Sequence, residues 1–134
     1  MRQRGPSVGT KIKKQLDKGV IVMDAIARVR NLRGSARKAR LVLDLIRGKS
    51  VPEAQNILLF STKRVSNDIA KLLKSAVANA QQKDVKLESD VMRVTKVFAD
   101  DGPIMRRHRP RAHGRATVIR RRTCHITLEL SEKE

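Results

Sequence analysis

The sequence predicts an α+β fold: three helices packed on a small three-stranded antiparallel sheet, with a long protruding β-hairpin. Three observations carry that prediction. Apolar residues recur at spacings of three and four between residues 35 and 82, as on the buried face of helices. Segments before and after this region are rich in β-formers and alternate. Between the last two strand-like runs, residues 106–122 hold eight arginines, two histidines and no acidic residue.

Residues 1–21 form a basic N-terminal extension. Lys11, Lys13, Lys14 and Lys18 are interleaved with Ile12 and Leu16, and Gly5, Pro6, Gly9 and Gly19 argue for disorder in isolation. The segment has no apolar core of the kind a secretory signal needs. An ordinary basic tail is expected in preference to a short organellar transit peptide. Residues 22–134 are expected to form one α+β domain, with 100–122 as its extended arm.

Residues 22–30 alternate imperfectly and predict a strand. Met23, Ala25, Ala27 and Val29 share one face; Asp24, Arg28 and Arg30 share the other. The first helix spans about 35–47. Ser35 suits the N-cap, and Ala36, Ala39, Val42, Leu43 and Ile46 make its apolar face. Gly48 suits its C-terminal stop. The second helix opens on Ser50-Val51-Pro52-Glu53, a capping-box spacing with proline in the first turn, and ends near Phe60. Ala54, Ile57 and Leu58 form its apolar side. The third runs from about Lys63 to Gln82 behind a Ser61 or Thr62 cap. Its stripe is Val65, Ile69, Leu72, Leu73, Ala76, Val77 and Ala80.

Two strands follow. Residues 91–99 are dense in β-formers. Residues 117–130 alternate clearly, with Cys124, Ile126, Leu128 and Leu130 directed to the helices and Thr123, His125, Thr127 and Glu129 away from them. Between these strands apolar residues thin to Ile104, Met105, Val118 and Ile119. A ribbon with so few core contacts is marginal alone in water, so the arm is expected to be mobile in the free protein. About ten residues per arm would carry the tip on the order of 30 Å from the body.

The composition narrows the function. The chain has 134 residues, a net charge of +18 and a pI near 11.4, a balance that points to nucleic acid or, second, to an anionic membrane surface. No apolar run approaches the roughly 20 residues that cross a bilayer, and nucleic acid is expected as the partner in preference to a membrane. The one cysteine, Cys124, has no internal disulfide partner and fits a reducing compartment. Phe60 and Phe98 are the only aromatics, so base stacking on aromatic rings is expected to be negligible. Phosphates, arginine planes, backbone groups and shape remain.

Arg106, Arg107, Arg109, Arg111, Arg115, Arg120, Arg121 and Arg122 keep their charge at any physiological pH. Their mutual repulsion calls for a polyanion, and the planar guanidinium fork suits phosphate. Arg30, Arg33, Arg37, Lys38, Arg40 and Lys49 form a second basic cluster. An RNA-facing surface explains it better than an ordinary solvated helix face.

Other chemistries fare poorly. His108, His113, His125 and Cys124 could suggest a metal, but Cys124 and His125 are neighbours on a strand and point to opposite faces. Neither a metal nor any other cofactor is expected. Ser35, Ser50 and Ser61 read as helix caps. Asp100 and Asp101 read as part of a turn, a bend or a local salt bridge before Gly102-Pro103. No catalytic residue stands out, and an enzyme is not expected. The rival from another class is an architectural DNA-binding protein gripping the minor groove with a basic β-arm. Pro110 could serve as its wedge, but no dimer seam is evident.

Several motifs occur together in order: A-R-K-A-R-L-V-L-D-L-I-R-G-K in the first helix, L-L-K-S-A-V-A-N-A in the third, then V-F-A-D-D-G-P-I-M-R-R-H-R-P-R-A-H-G-R-A and R-R-R-T-C-H-I-T-L. Over about residues 22–131 the chain resembles the large-subunit ribosomal protein family twenty-two, of bacterial type. The resemblance implies a cytoplasmic, ribosome-bound structural protein. Its body would sit near the exit of the peptide tunnel, and its hairpin would thread the large-subunit (23S) ribosomal RNA, assisting assembly. Met105, Arg106 and Arg107 would match the arm near the tunnel wall. Pro110, Arg111, Ala112, His113, Gly114 and Arg115 would match the tip, and Arg120, Arg121 and Arg122 the returning strand that clasps RNA. Met105, His108, Pro110, Ala112, His113 and Gly114 would line the tunnel. Neighbouring ribosomal proteins, the nascent polypeptide and macrolides are the further partners implied.

Overall fold

The computed structural model describes residues 25–83 and 89–132. The basic extension, and Met23 and Asp24 at the start of the first predicted strand, lie outside the described residues. The order of elements is β1 (Ala25–Arg33), α1 (Ala36–Ile46), α2 (Val51–Phe60), α3 (Val65–Lys83), a short 3-10 turn at Ser89–Val91, then β2 (Met92–Asp101), β3 (Met105–Pro110), β4 (Ala116–Arg121) and β5 (Thr123–Glu132). β5 is the centre of a three-stranded antiparallel sheet, β1-β5-β2, and β3 and β4 form a separate two-stranded hairpin. This is the α+β architecture that the periodicities predict.

The core follows from the helical stripes. Ala36, Ala39, Val42, Leu43 and Ile46 of α1 are all buried, as are Ala54 and Leu58 of α2 and Ile69, Leu72, Leu73, Ala76 and Ala80 of α3. They meet Ala25 and Ala27 of β1, Val94, Val97 and Ala99 of β2, and Cys124, Ile126, Leu128 and Leu130 of β5. α1 lies against β2, α3 against β1, and α2 bridges the two helices. Among the described residues the buried core holds no aromatic ring. Both phenylalanines are outside it, Phe98 42% and Phe60 82% exposed.

The caps differ in detail from the sequence reading. Ser35 and Ser50 occupy N-cap positions with extended backbones, but neither hydroxyl bonds to the helix. The Ser35 carbonyl instead accepts the Lys38 and Ala39 amides. Ser61 lies further ahead of its helix than expected. Its hydroxyl accepts from Ser66 Oγ at 2.8 Å, tying α3 back to the end of α2. Asp100 and Asp101 are not in a turn. They finish β2, paired with His125 and Cys124.

Two register shifts shape the sheet. β1 bulges between Val29 and Leu32, where Asn31 takes a positive φ of 56°. β2 shifts between Val94 and Lys96. That second bulge switches the phase of the strand. Met92 and Val94 face the core, and so do Val97 and Ala99, whereas Lys96 and Phe98 face outward.

Both sheet edges are occupied at particular positions. On β2, Val94 exchanges backbone hydrogen bonds with Gly48 and Lys49, each at 2.9 Å. Further along, Arg47 Nη2 donates to the Val97 carbonyl, and Arg40 donates to that of Ala99. On β1, Asn79 of α3 donates to the Ile26 carbonyl.

Candidate nucleic-acid interface

The hairpin is a ribbon of six cross-strand pairs: Met105↔Arg121, Arg106↔Arg120, Arg107↔Ile119, His108↔Val118, Arg109↔Thr117 and Pro110↔Ala116. Every residue of β3 is exposed, and in β4 only Ile119 is partly covered. Side chains alternate across a ribbon, so the pairs divide into two faces. Arg107, Arg109 and Arg121 lie on one face; Arg106 and Arg120 lie on the other. Arg106 and Arg120 stand directly opposite each other. Like charges so placed destabilise an isolated hairpin.

The tip is Arg111–Arg115. The Arg111 amide donates to the Arg115 carbonyl at 2.7 Å and closes the loop. His113 (φ 58°) and Gly114 (φ 64°) both adopt left-handed backbone, which reverses the chain in so few residues. Arg111, Ala112, His113, Gly114 and Arg115 are all exposed. Met105 does not join this group. It pairs with Arg121 at the foot of the ribbon, five residues and roughly 16 Å from Pro110.

The root is close-packed. The Gly102 amide donates to the Thr123 carbonyl at 2.8 Å, and Thr123 Oγ1 donates to the Pro103 carbonyl at 2.7 Å. The Gly34 amide donates to the Arg122 carbonyl at 3.2 Å, which draws the turn before α1 to the foot of β4. Arg33 and Arg122 therefore belong to one basic neighbourhood, continued by Arg37 and Lys38 in the first turn of α1.

The other members of the second cluster are less uniform. Arg30 is exposed on the sheet face that the helices leave open. Arg40 is committed to the Ala99 carbonyl by two hydrogen bonds. Lys49 lies beyond the far end of α1, roughly 15 Å from Arg37 and Lys38 along the helix axis. Arg47 and Arg93 were not singled out from sequence, and their contacts are with the fold. Arg47 pairs with Asp44 at 2.8 Å, and Arg93 donates to the Gly48 carbonyl. A one-dimensional sequence cannot separate a cation that secures a strand edge from one that awaits a phosphate.

Among the described residues, no three His, Cys, Asp or Glu side chains gather as metal ligands would. Cys124 is buried, and that burial, with Asp101 and then Asp68 nearby, pushes its thiol pKa above the ordinary 9.0. His125 lies on the opposite face, where its Nδ1 accepts the Asn31 amide at 3.0 Å. No described helix is long and apolar enough to cross a membrane.

Comparison with known proteins bears on this geometry. The family model described as ribosomal protein L22p/L17e matches residues 27–131. The large ribosomal subunit protein uL22 of Thermoanaerobacter sp. (strain X514) is 53% identical over 112 residues, covering 84% of this chain and 100% of that protein. Its namesake in Leptospira biflexa serovar Patoc (strain Patoc 1 / ATCC 23582 / Paris) is 52% identical over 113 residues, covering 84% and 97%. With the α+β body, the hairpin and its arginines in place, these matches establish that the chain belongs to the ribosomal protein L22p/L17e family.

Proposed function

We propose that the chain is a structural, non-enzymatic component of the large ribosomal subunit, working in the cytoplasm. Its arm binds large-subunit ribosomal RNA through Arg106, Arg107, Arg109, Arg111, Arg115, Arg120, Arg121 and Arg122. Arg30, Arg33, Arg37 and Lys38 supply a second contact surface on the body, and Arg40 and Lys49 add charge at its margins.

The observation that carries this reading is the division of arginines between both faces of the ribbon. A hairpin lying on a flat polyanion would need cations on one side only. One with cations on both sides, and an opposed Arg106–Arg120 pair, is matched to phosphates that surround it. Several RNA segments meeting around the arm would neutralise it and release their counterions. Ordering the arm costs conformational entropy that these contacts offset.

The tip has a separate role in this proposal. His108, Pro110, Ala112, His113 and Gly114 line the nascent-peptide exit tunnel, with Met105 lower on the arm near its wall. The growing chain and macrolides are the ligands in reach of such a tip, and neighbouring ribosomal proteins contact the body. Family membership and the exposed, tightly turned end of the ribbon support this part.

Footprinting of the purified protein on large-subunit ribosomal RNA tests the reading. Discrete protection is expected, with log affinity falling linearly against log salt by about 0.7–0.9 per phosphate neutralised. Absence of protection, with comparable and salt-resistant binding to duplex DNA, would favour an architectural DNA-binding protein instead.

A further inference from the structure

The open face of the β1-β5-β2 sheet carries a second arrangement that the arm does not explain. Phe98 is a large apolar side chain on the solvent side, although a core of small aliphatic residues lies directly beneath the sheet. The β2 bulge puts it there. The strand register sets its neighbours: Arg28 of β1, Thr127 of β5 and Phe98 of β2 form one row across the sheet. In the next row Asp100 pairs with His125, and Arg30 stands alongside on β1.

Thr127 is short and 9% exposed, so it forms the floor of a trough between two taller walls. Arg28 and Phe98 flank it, two strand spacings apart, which is roughly 10 Å. That spacing leaves room for one planar ring between the two side chains. The resulting cavity, of about 270 Å³, is lined by Arg28, Arg30, Phe98, Asp100, His125 and Thr127, with Val29. Its polar groups are mixed in a useful way. Two arginines offer donors to a phosphate. The Asp100 carboxylate offers acceptors to ring or amino N–H groups. His125 Nδ1 accepts the Asn31 amide, which leaves Nε2 as a further hydrogen-bonding group.

We infer that this trough holds a single unpaired RNA nucleotide, its base stacked on Phe98 and hydrogen-bonded to Asp100 and His125, its phosphate on Arg28 and Arg30. Aromatic and guanidinium planes, with a few edge hydrogen bonds, are how unpaired bases are commonly held. The sequence reading, which gave aromatic stacking no part, is thereby revised at one position. The inference rests on the RNA-binding reading above.

The chain has no tryptophan or tyrosine, so a tryptophan at one position reports without background. Full-length Phe98→Trp and, as control, Phe60→Trp are titrated with purified large-subunit ribosomal RNA. Quenching of the Phe98→Trp emission is expected, with little change for Phe60→Trp. Phe98→Ala, checked by circular dichroism for its fold, should weaken RNA affinity roughly five- to a hundredfold, and Phe98→Tyr should restore it. Unchanged Phe98→Trp emission while salt-dependent RNA binding persists overturns the inference and leaves the RNA reading standing. Wild-type affinity in a natively folded Phe98→Ala does the same. Failure of the unaltered protein to bind the RNA at all would remove the underlying reading, and this inference with it.

Discussion

The Arg40 guanidinium grips the Ala99 carbonyl with two hydrogen bonds, from Nε at 3.0 Å and Nη2 at 2.8 Å. Ala99 is on β2, an edge of the three-stranded sheet, and Arg40 is on α1 above it. The contact fastens helix to sheet and occupies a strand-edge acceptor. A charge-assisted hydrogen bond of this kind contributes about 1.5–3 kcal/mol. Arg40→Ala should therefore lower the unfolding free energy from urea titration by up to that order, and Arg40→Lys should recover little, because a lysine cannot reproduce the fork. Arg37→Ala, three residues earlier and exposed, should change stability by under about 0.5 kcal/mol. In RNA titrations the ranking should reverse, Arg37→Ala weakening binding more than Arg40→Ala does in protein that remains folded.

Gly102 marks the root of the arm. A Cβ there would come within 2.5 Å of Thr123 Oγ1 and 3.2 Å of the Thr123 carbonyl carbon. Thr123 is buried and its hydroxyl is held by Pro103, so it has little room to yield. Gly102→Ala should cost about 1–3 kcal/mol, the usual range for overpacking. Thermal melting followed by circular dichroism measures the loss. A Gly34→Ala control, where a new methyl meets nothing within 4 Å, should melt close to wild type.

The arm contributes none of the buried core. Removing residues 105–121 and closing the gap with a short Asn-Gly turn should leave the helical circular-dichroism signal intact. The same variant loses Arg106, Arg107, Arg109, Arg111, Arg115, Arg120 and Arg121. Its affinity for large-subunit RNA should drop, and its salt dependence should become shallower by several units of slope. Loss of helical signal on this deletion would show that the ribbon supports the body.

Cys124 links stability to alkaline pH. Burial, foremost, and then Asp101 and Asp68 raise its thiol pKa in the folded state. Below the unfolded value, near the ordinary 9.0, both states hold the proton and the thiol adds no pH dependence. Above it the unfolded chain releases the proton first, so stability falls as pH rises until the folded pKa is passed. Urea melts from pH 8 to 10.5 should show this decline in the wild type and a smaller one in Cys124→Ala. Alkylation of the native thiol should be slow throughout, since the thiolate is the reactive form.

Much of the fold was legible because periodicity records burial directly. Ala36, Ala39, Val42, Leu43 and Ile46 could be read as one face from their spacing, and all are buried. The alternation of Cys124, Ile126, Leu128 and Leu130 worked equally well. Phe98 was opaque for a physical reason. Strict alternation groups it with Met92 and Val94, and only the bulge between Val94 and Lys96 turns it to the open face. The hydroxyls of Ser35 and Ser50 show a different limit: sequence finds the cap position but not whether a side chain bonds there. For the basic residues, charge density found the arm, whereas the roles of Arg40, Arg47 and Arg93 depend on strand edges distant in sequence.

The contrast between covered and uncovered strand edges has a consequence for how copies of this protein avoid one another. In the body, Arg40, Arg47, Asn79 and the Gly48–Lys49 backbone occupy edge positions that another chain could otherwise extend. Among the described residues the exposed ribbon has no such covering; its safeguard is repulsion between arginines. The proposed RNA binding would cancel that repulsion and, in the same act, enclose the edges it protected. On that proposal free arms would be kept apart by charge and bound arms by enclosure, so the hazardous state would be partial neutralisation. An excess of protein over short, disordered polyanions should therefore drive precipitation, while a folded partner that closes around the arm should not.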